Sequence, residues 1–257
     1  MTPYYQDEAV CIYCGDCRDV LAAGVLPKTD HAIFDPPYSE YVHSKSRQGC
    51  RPLTGSLSGG SYDAPANFSR AKEFGFAALD EDTRAEVAAW IGARVSRWSL
   101  AFSDVESSHL WRDAFVGVGL DYVRTGAWVK VGATPQFTGD RPAAGFEAIT
   151  IVHPKGRKRW NGGGAHAVWS VPIVLNRGVK VERVHTTQKP EELMVRLVSQ
   201  FTDSGDSIID PFMGSGTTLV AAKRLGRKAI GIERERKYCD LAIERLAQGA
   251  LALGMGA

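Results

Sequence analysis

Ser207-Ile208-Ile209-Asp210-Pro211-Phe212-Met213-Gly214-Ser215-Gly216-Thr217-Thr218, with Leu219 to Leu225, Lys228 to Ile232 and Glu233 behind it, is the stretch that decides the fold. Ile208 and Ile209 read as a buried strand that stops at Asp210. A glycine loop, a helix over 219–225, a second buried strand over 228–232 and an acid at its end follow. This is a βαβ nucleotide-binding half. The glycines let backbone come close to a ligand, and an acid about 20 residues beyond the loop can accept hydrogens from ribose hydroxyls. A dinucleotide loop asks for a third glycine where Leu219 stands. Pyrophosphate is therefore disfavoured, and an adenosine cofactor without phosphates fits better.

A second strand end carries different chemistry. Ala32-Ile33-Phe34 runs into Asp35-Pro36-Pro37-Tyr38, so a buried strand meets a rigid turn that lacks N–H donors. The Asp35 carboxylate and the Pro36 carbonyl are left as acceptors beside an aromatic ring. Such a set suits a flat ring bearing an NH2 group. Each acceptor can take one amine hydrogen, drawing the nitrogen lone pair out of conjugation, while Tyr38 stacks on the ring. Taken alone, the tetrapeptide could also be an ordinary strand-ending turn.

The rest of the chain alternates strand and helix. Val10 to Tyr13 reads as a strand that turns at Cys14-Gly15-Asp16-Cys17, with a short helix from Arg18 to Ala23. Asp82 or Thr83 can cap a helix with Val87, Ile91 and Val95 on its apolar face, and Trp98 continues that face into the core. A strand over Ser99 to Ser103, a helix over Glu106 to Val118, and strands over Asp121 to Val131 and Glu147 to His153 come next. Pro190 opens a helix with acids in its first turn and Leu193, Met194, Leu197, Val198 and Phe201 on one face. The fold class expected is α/β, a doubly wound sheet in one domain spanning 1–257. A lid loop is expected over 39–72 and a small basic insert over 153–185.

Composition narrows the partners. The chain has 257 residues, 44% hydrophobic and 23% charged, long enough for a sizeable core, with no apolar run that could span a bilayer. No secretory leader is visible at Met1 to Glu8, and a cytoplasmic protein with free thiols is expected. Cys11, Cys14 and Cys17 repeat a metal-like spacing, but a fourth ligand is lacking unless Cys50 supplies it, so no metal is expected. The net charge of +2 hides an asymmetry: residues 40–72 carry +3 and residues 153–185 carry +6, leaving −7 for the remainder. Positive charge gathered on an otherwise acidic chain suits a polyanion. Lys45, Arg47 and Arg51 in the first stretch, and Lys155, Arg157, Lys158, Arg159, Trp160 and Trp169 in the second, are the candidate nucleic-acid contacts. Cations there would meet phosphates and rings would stack on bases.

Together the two strand ends resemble the amino-methylating DNA methyltransferases. Asp210 to Thr218 with Glu233 looks like their S-adenosylmethionine loop, and Asp35 to Tyr38 like their catalytic tetrapeptide. The order, catalytic motif first, basic insert next and cofactor loop last, resembles the circularly permuted beta class, and the resemblance runs from Ile12 to about Leu246. It implies S-adenosylmethionine as cofactor, a Rossmann-like sheet, double-stranded DNA as partner, and methyl transfer to N6 of a flipped adenine by Asp35, Pro36, Pro37 and Tyr38. Cytosine N4 and an RNA adenine are the alternative targets, and a non-catalytic DNA- or cofactor-binding module is the alternative class. Those family members that methylate cytosine more often carry Ser at the position of Asp35, which favours adenine. The resemblance also implies Asp16 and Cys17 against the adenine ring of the cofactor and Glu233 on its ribose. Asp210, Pro211, Phe212, Gly214, Ser215, Gly216, Thr217 and Thr218 would surround its methionine part, with Lys189 facing the carboxylate. A cognate restriction endonuclease and a homodimer are compatible with this reading. The chain departs from the family at Thr186, where a proline is often found, and in the shortness of its insert.

Overall fold

The computed structural model describes residues 1–38, 79–133, 142–173 and 188–254. Nine strands form one sheet: β1 (Tyr5–Gln6), β2 (Val10–Cys14), β3 (His31–Phe34), β4 (Ser99–Ser103), β5 (Asp121–Val131), β6 (Phe146–His153), β7 (Val168–Pro172), β8 (Ser207–Asp210) and β9 (Lys228–Glu233). Among the described residues six helices flank it: α1 (Cys17–Ala22), α2 (Glu81–Arg94), α3 (Ser108–Gly117), α4 (Glu191–Phe201), α5 (Thr217–Arg224) and α6 (Arg236–Gly254). The strand order is β1-β2-β9-β8-β3-β4-β6-β5-β7. Strands β2, β9, β8, β3 and β4 are parallel, whereas β6 runs antiparallel to both β4 and β5. Among the described residues no helix is long and apolar enough to cross a membrane.

The central strands are covered on both faces, which is why they read as unbroken apolar runs: every residue of β3 and β4 is buried. On one face Leu193, Met194, Leu197, Val198 and Phe201 of α4 join Leu219 to Ala222 of α5 and Cys239, Ala242 and Leu246 of α6. On the other, Val20 and Leu21 of α1, Val87 and Ile91 of α2, and Trp111 and Phe115 of α3 close over Phe34 and Ala101. Each large apolar side chain so buried contributes roughly 1.5–3 kcal/mol relative to exposure. The two clusters make the sheet doubly wound, as expected.

Differences from the sequence reading are local. Asp80, not Asp82 or Thr83, caps α2, its carboxylate accepting the Thr83 N–H at 2.6 Å. Strand β1 and helix α6 were not foreseen; β1 has only two residues and pairs antiparallel with β2. Within the expected basic insert, Val168–Pro172 forms a strand that joins the main sheet parallel to β5. The described part of the basic insert, 153–173, is thus a loop over 154–167 followed by a strand that extends the sheet. Its residues 174–185 and the expected lid over 39–72, with Lys45, Arg47, Arg51 and Cys50, lie outside the described residues.

Candidate active site

Parallel strands point their carboxyl ends to one rim, and neighbouring strands lie about 4.8 Å apart. Four adjacent strands, β2, β9, β8 and β3, are followed or ended there by Asp16, Glu233, Asp210 and Asp35. From β8 the chain crosses to β9 on one side, and from β3 to β4 on the other. The crevice between β8 and β3 is therefore the point at which winding reverses, where open α/β sheets bind ligands. Asp210 and Asp35 flank it.

The cofactor half is built on backbone geometry. Gly214 and Gly216 have φ of 50° and 76°, a region that side chains rarely enter. A Cβ on Gly216 would also come within 2.8 Å of the Ala242 Cβ, so α6 packs directly against the loop. Glu233 ties the loop to its own strand end: one carboxylate oxygen accepts the Gly214 N–H at 3.1 Å and the other the Glu235 N–H at 2.8 Å. Beside it, the Gly15 N–H donates to the Glu233 carbonyl at 2.9 Å, bringing the Asp16 turn to the same place. Asp16 caps α1 by accepting the Arg18 N–H, and its hydrogen bonds to Arg18 hold its carboxyl below the usual range. Cys17 sits in the core at the start of α1, and burial pushes its thiol up to about 12.

Asp210 is 2% exposed. Burial pushes its carboxyl up to about 7, against the pull of the Thr218 hydroxyl and the Phe212 N–H, while the negative charges of Asp35 and Glu233 raise it further. Glu233 is likewise raised by burial. Three acids, two of them reluctant to ionise, suit a ligand that brings positive charge and hydroxyl hydrogens. Ser215, Thr217 and Thr218 are buried in the same loop, and Phe212 stacks its ring 6.0 Å from that of Phe34. Arg245 of α6 braces the turn by donating to the Ser215 carbonyl at 2.6 Å and to the Thr217 hydroxyl at 3.1 Å. A helix not foreseen offered no signal for Arg245.

At Asp35 the structure adds two residues that sequence reasoning missed. The Lys189 ammonium donates to Asp35 Oδ2 at 2.5 Å and to the Tyr38 hydroxyl at 3.1 Å, and pairs with Glu147 Oε2 at 3.1 Å. Tyr38 donates to the same Glu147 oxygen, and Lys130 pairs with Oε1 at 2.7 Å. Glu147 lies on this rim because β6 is antiparallel, so its beginning rather than its end faces the site; no strand-end rule could have picked it. Lys130 arrives from the carboxyl end of β5. The resemblance put Lys189 on the cofactor carboxylate, whereas its partners here are Asp35, Tyr38 and Glu147. Asp35 Oδ1 is buried without a hydrogen-bond partner among the described residues. Burial raises the Asp35 carboxyl to about 6, Lys189 draws it down, and Glu147 pushes it up.

The basic run does not join this site. Strand β6 carries the chain from Glu147 to His153 at the opposite rim, and Lys155 to Arg159 follow there. Lys158 pairs with Asp121 at 3.0 Å at the start of β5, and Arg159 with Asp203 at 3.1 Å, ahead of β8. The Arg159 carbonyl accepts the Trp98 indole N–H, and Asn161 donates to the Thr202 carbonyl at 2.9 Å. Lys155 and Arg157 are exposed on that rim. Of the two rings expected to stack on bases, Trp169 is buried and Trp160 is partly buried. Trp169 is 3% exposed, with its indole N–H donating to Gln200 at 2.8 Å. Trp160 packs its ring edge-on, 4.7 Å from Phe201, and Gly162 lies flat beneath it. Trp169 thus belongs to the apolar core under α4, and Trp160 packs, partly buried, against it.

Comparison with known proteins agrees with this geometry. The type II methyltransferase M2.LlaDCHI of Lactococcus lactis subsp. cremoris is 29% identical over 96% of this chain and 93% of its own. In structure, the M1.HpyAVI complex with SAM superposes with a TM-score of 0.65 at 22% identity, covering 92% of this chain and 98% of that one. The PvuII cytosine-N4-specific DNA methyltransferase gives 0.68 at 15% identity, covering 95% and 88%. These likenesses show a shared fold. The family described as DNA methylase, of N6 and N4 type, matches residues 29–244, a span that takes in Asp35 to Tyr38, Glu147, Lys189 and the whole glycine loop, and the chain belongs to that family.

Proposed function

We propose that this DNA methylase transfers a methyl group from S-adenosylmethionine to N6 of an adenine turned out of double-stranded DNA. The observation that carries the proposal is Asp35 Oδ1, a buried acceptor without a hydrogen-bond partner among the described residues, at the winding reversal next to Asp210. A buried lone acceptor is costly, and an amine hydrogen would satisfy it. With the Pro36 carbonyl taking the second hydrogen and Tyr38 stacking on the ring, the amine nitrogen is freed to act as a nucleophile. Asp35 then accepts the proton that the amine gives up.

Asp210, Glu233, Asp16 and the loop from Phe212 to Thr218 would hold the cofactor, the carboxylates matching its ammonium, sulfonium and ribose hydroxyls. When bound, it supplies an electrophilic methyl group on a positively charged sulfur. The protein's part is alignment and polarisation. Turning the base out costs a few kcal/mol of stacking, offset by Tyr38 and the two amine hydrogen bonds. Asp35 in place of serine favours adenine. Cytosine N4 is the second reading, supported by the fold shared with the PvuII enzyme.

Nucleoside analysis of DNA from cells expressing the protein tests this. N6-methyladenine is expected, and it should vanish in Asp35→Ala while calorimetric binding of S-adenosylmethionine survives. N4-methylcytosine would transfer the reading to cytosine, and loss of cofactor binding in Asp35→Ala would undo the division of roles.

A further inference from the structure

Lys189 is 6% exposed at its side chain and is enclosed by the rings of Tyr38, Phe102 and Trp128 at 5.3, 5.2 and 5.9 Å. Its three ammonium hydrogens have three acceptors: Asp35, the Tyr38 hydroxyl and Glu147. Glu147 in turn takes the Tyr38 hydroxyl and Lys189 on one oxygen and Lys130 on the other. Two carboxylates and two ammonium groups thus balance in one cluster, with Lys189 and Glu147 at its buried centre. If Asp35 accepts a substrate amine, it must loosen its hold on Lys189, and a buried ammonium left alone is strongly disfavoured. Only a second anion already in contact makes that exchange cheap.

We propose that Glu147, held in place by Lys130, is a positioning residue: it fixes the Tyr38 hydroxyl and keeps Lys189 charged and paired while Asp35 exchanges its ammonium partner for the substrate amine. The inference rests on the reading of Asp35 as the amine's acceptor. The groups acting on the cluster are Lys130 from β5, Lys189 ahead of α4, Asp35 and Tyr38 after β3, and Asp104 after β4, whose charge reaches Tyr38. Burial opposes the charges on Glu147 and Lys189. The charges of Lys189 and Lys130 nevertheless keep Glu147 below the usual carboxylate range, and those of Asp35 and Glu147 keep Lys189 above that of lysine. Glu147 raises the Asp35 carboxyl and Lys130 lowers it. Opposite consequences follow from removing each.

The test is single-turnover methylation of duplex DNA across pH for the full-length wild type, Glu147→Gln, Lys130→Met and Asp35→Ala, with calorimetric titration of S-adenosylmethionine. Glu147→Gln should slow transfer by about tenfold or more at saturating cofactor and DNA. Its cofactor affinity should be unchanged and the acid limb of its rate profile should move to lower pH. Lys130→Met, which keeps the Glu147 carboxylate but removes its Oε1 partner and the cation that lowers the Asp35 carboxyl, should move that limb to higher pH. A brace that merely supports the fold would lower the melting temperature and leave both limbs where they are, and that result overturns the proposal, as does a wild-type rate in Glu147→Gln. Should Glu147→Gln fail to fold, an unmoved limb in Lys130→Met overturns it by itself. Undiminished transfer by Asp35→Ala would instead overturn the reading of Asp35, an outcome separable from the others.

Discussion

Replacing Asp210 by asparagine separates stability from cofactor binding, because the carboxyl is almost fully buried and carries a large shift. Burial pushes it to about 7 from 3.8, the neighbouring Asp35 and Glu233 charges add to this, and its hydrogen bonds from Thr218 and Phe212 oppose it. In the unfolded chain the same group titrates near 3.8. Between these values the folded protein keeps a proton that the unfolded chain has released, so stability is present at low pH and is lost as pH rises through about 7. A gap of about three pKa units, at about 1.4 kcal/mol each, sets a ceiling of about 4 kcal/mol on that loss. Asparagine keeps the shape and an acceptor for the Phe212 N–H but has no such loss. Asp210→Asn should therefore track the wild type near pH 4.5 and exceed it in stability near pH 8, by a few kcal/mol at most. Urea unfolding followed by tryptophan fluorescence, without cofactor, measures the difference. The same variant should bind S-adenosylmethionine more weakly, since the ionised carboxylate is what a cationic ligand would draw on. Parallel stability curves from pH 4.5 to 8 would refute the assignment of the buried proton to Asp210, and unchanged cofactor affinity would remove it from the ligand's surroundings.

Three further outcomes are expected. Glu233→Ala should weaken cofactor binding by about 1.5–3 kcal/mol, the range for hydrogen bonds to a charged group, and titration calorimetry reads it directly. Gly216→Ala should destabilise the fold by about 2–5 kcal/mol, combining a left-handed backbone with a Cβ pressed against Ala242; a loss below about 1 kcal/mol in urea unfolding would show that the loop yields. Neutralising Arg157, Lys158 and Arg159 together should leave the salt dependence of DNA binding unchanged, because the run lies on the rim opposite Asp35. A slope shallower by about three would return the phosphate contacts to it.

The sequence by itself determined the doubly wound α/β class, the glycine loop and the two acidic strand ends, because those depend on short-range signals. Unbroken apolar runs such as Ile208-Ile209 and Ala32-Ile33-Phe34 admit only buried strands, and glycine or proline placed directly after them fixes the turns. The spacing from Gly214 to Glu233 says that one backbone unit carries both. What the sequence could not decide was strand direction and register outside the parallel core. Glu147 reaches Asp35 only because β6 runs antiparallel, and for the same reason the basic run after His153 is carried away from the site it was expected to serve. The tryptophans show a similar limit. Charge and glycine around Trp160 and Trp169 read as an exposed surface, but Phe201 and α4 offered apolar area that buries Trp169 and covers part of Trp160. Local pattern thus set which segments are strands and which acids end them, whereas long-range packing alone decided which charges meet across the rim, since that depends on pairings between residues as far apart as Asp35, Glu147 and Lys189.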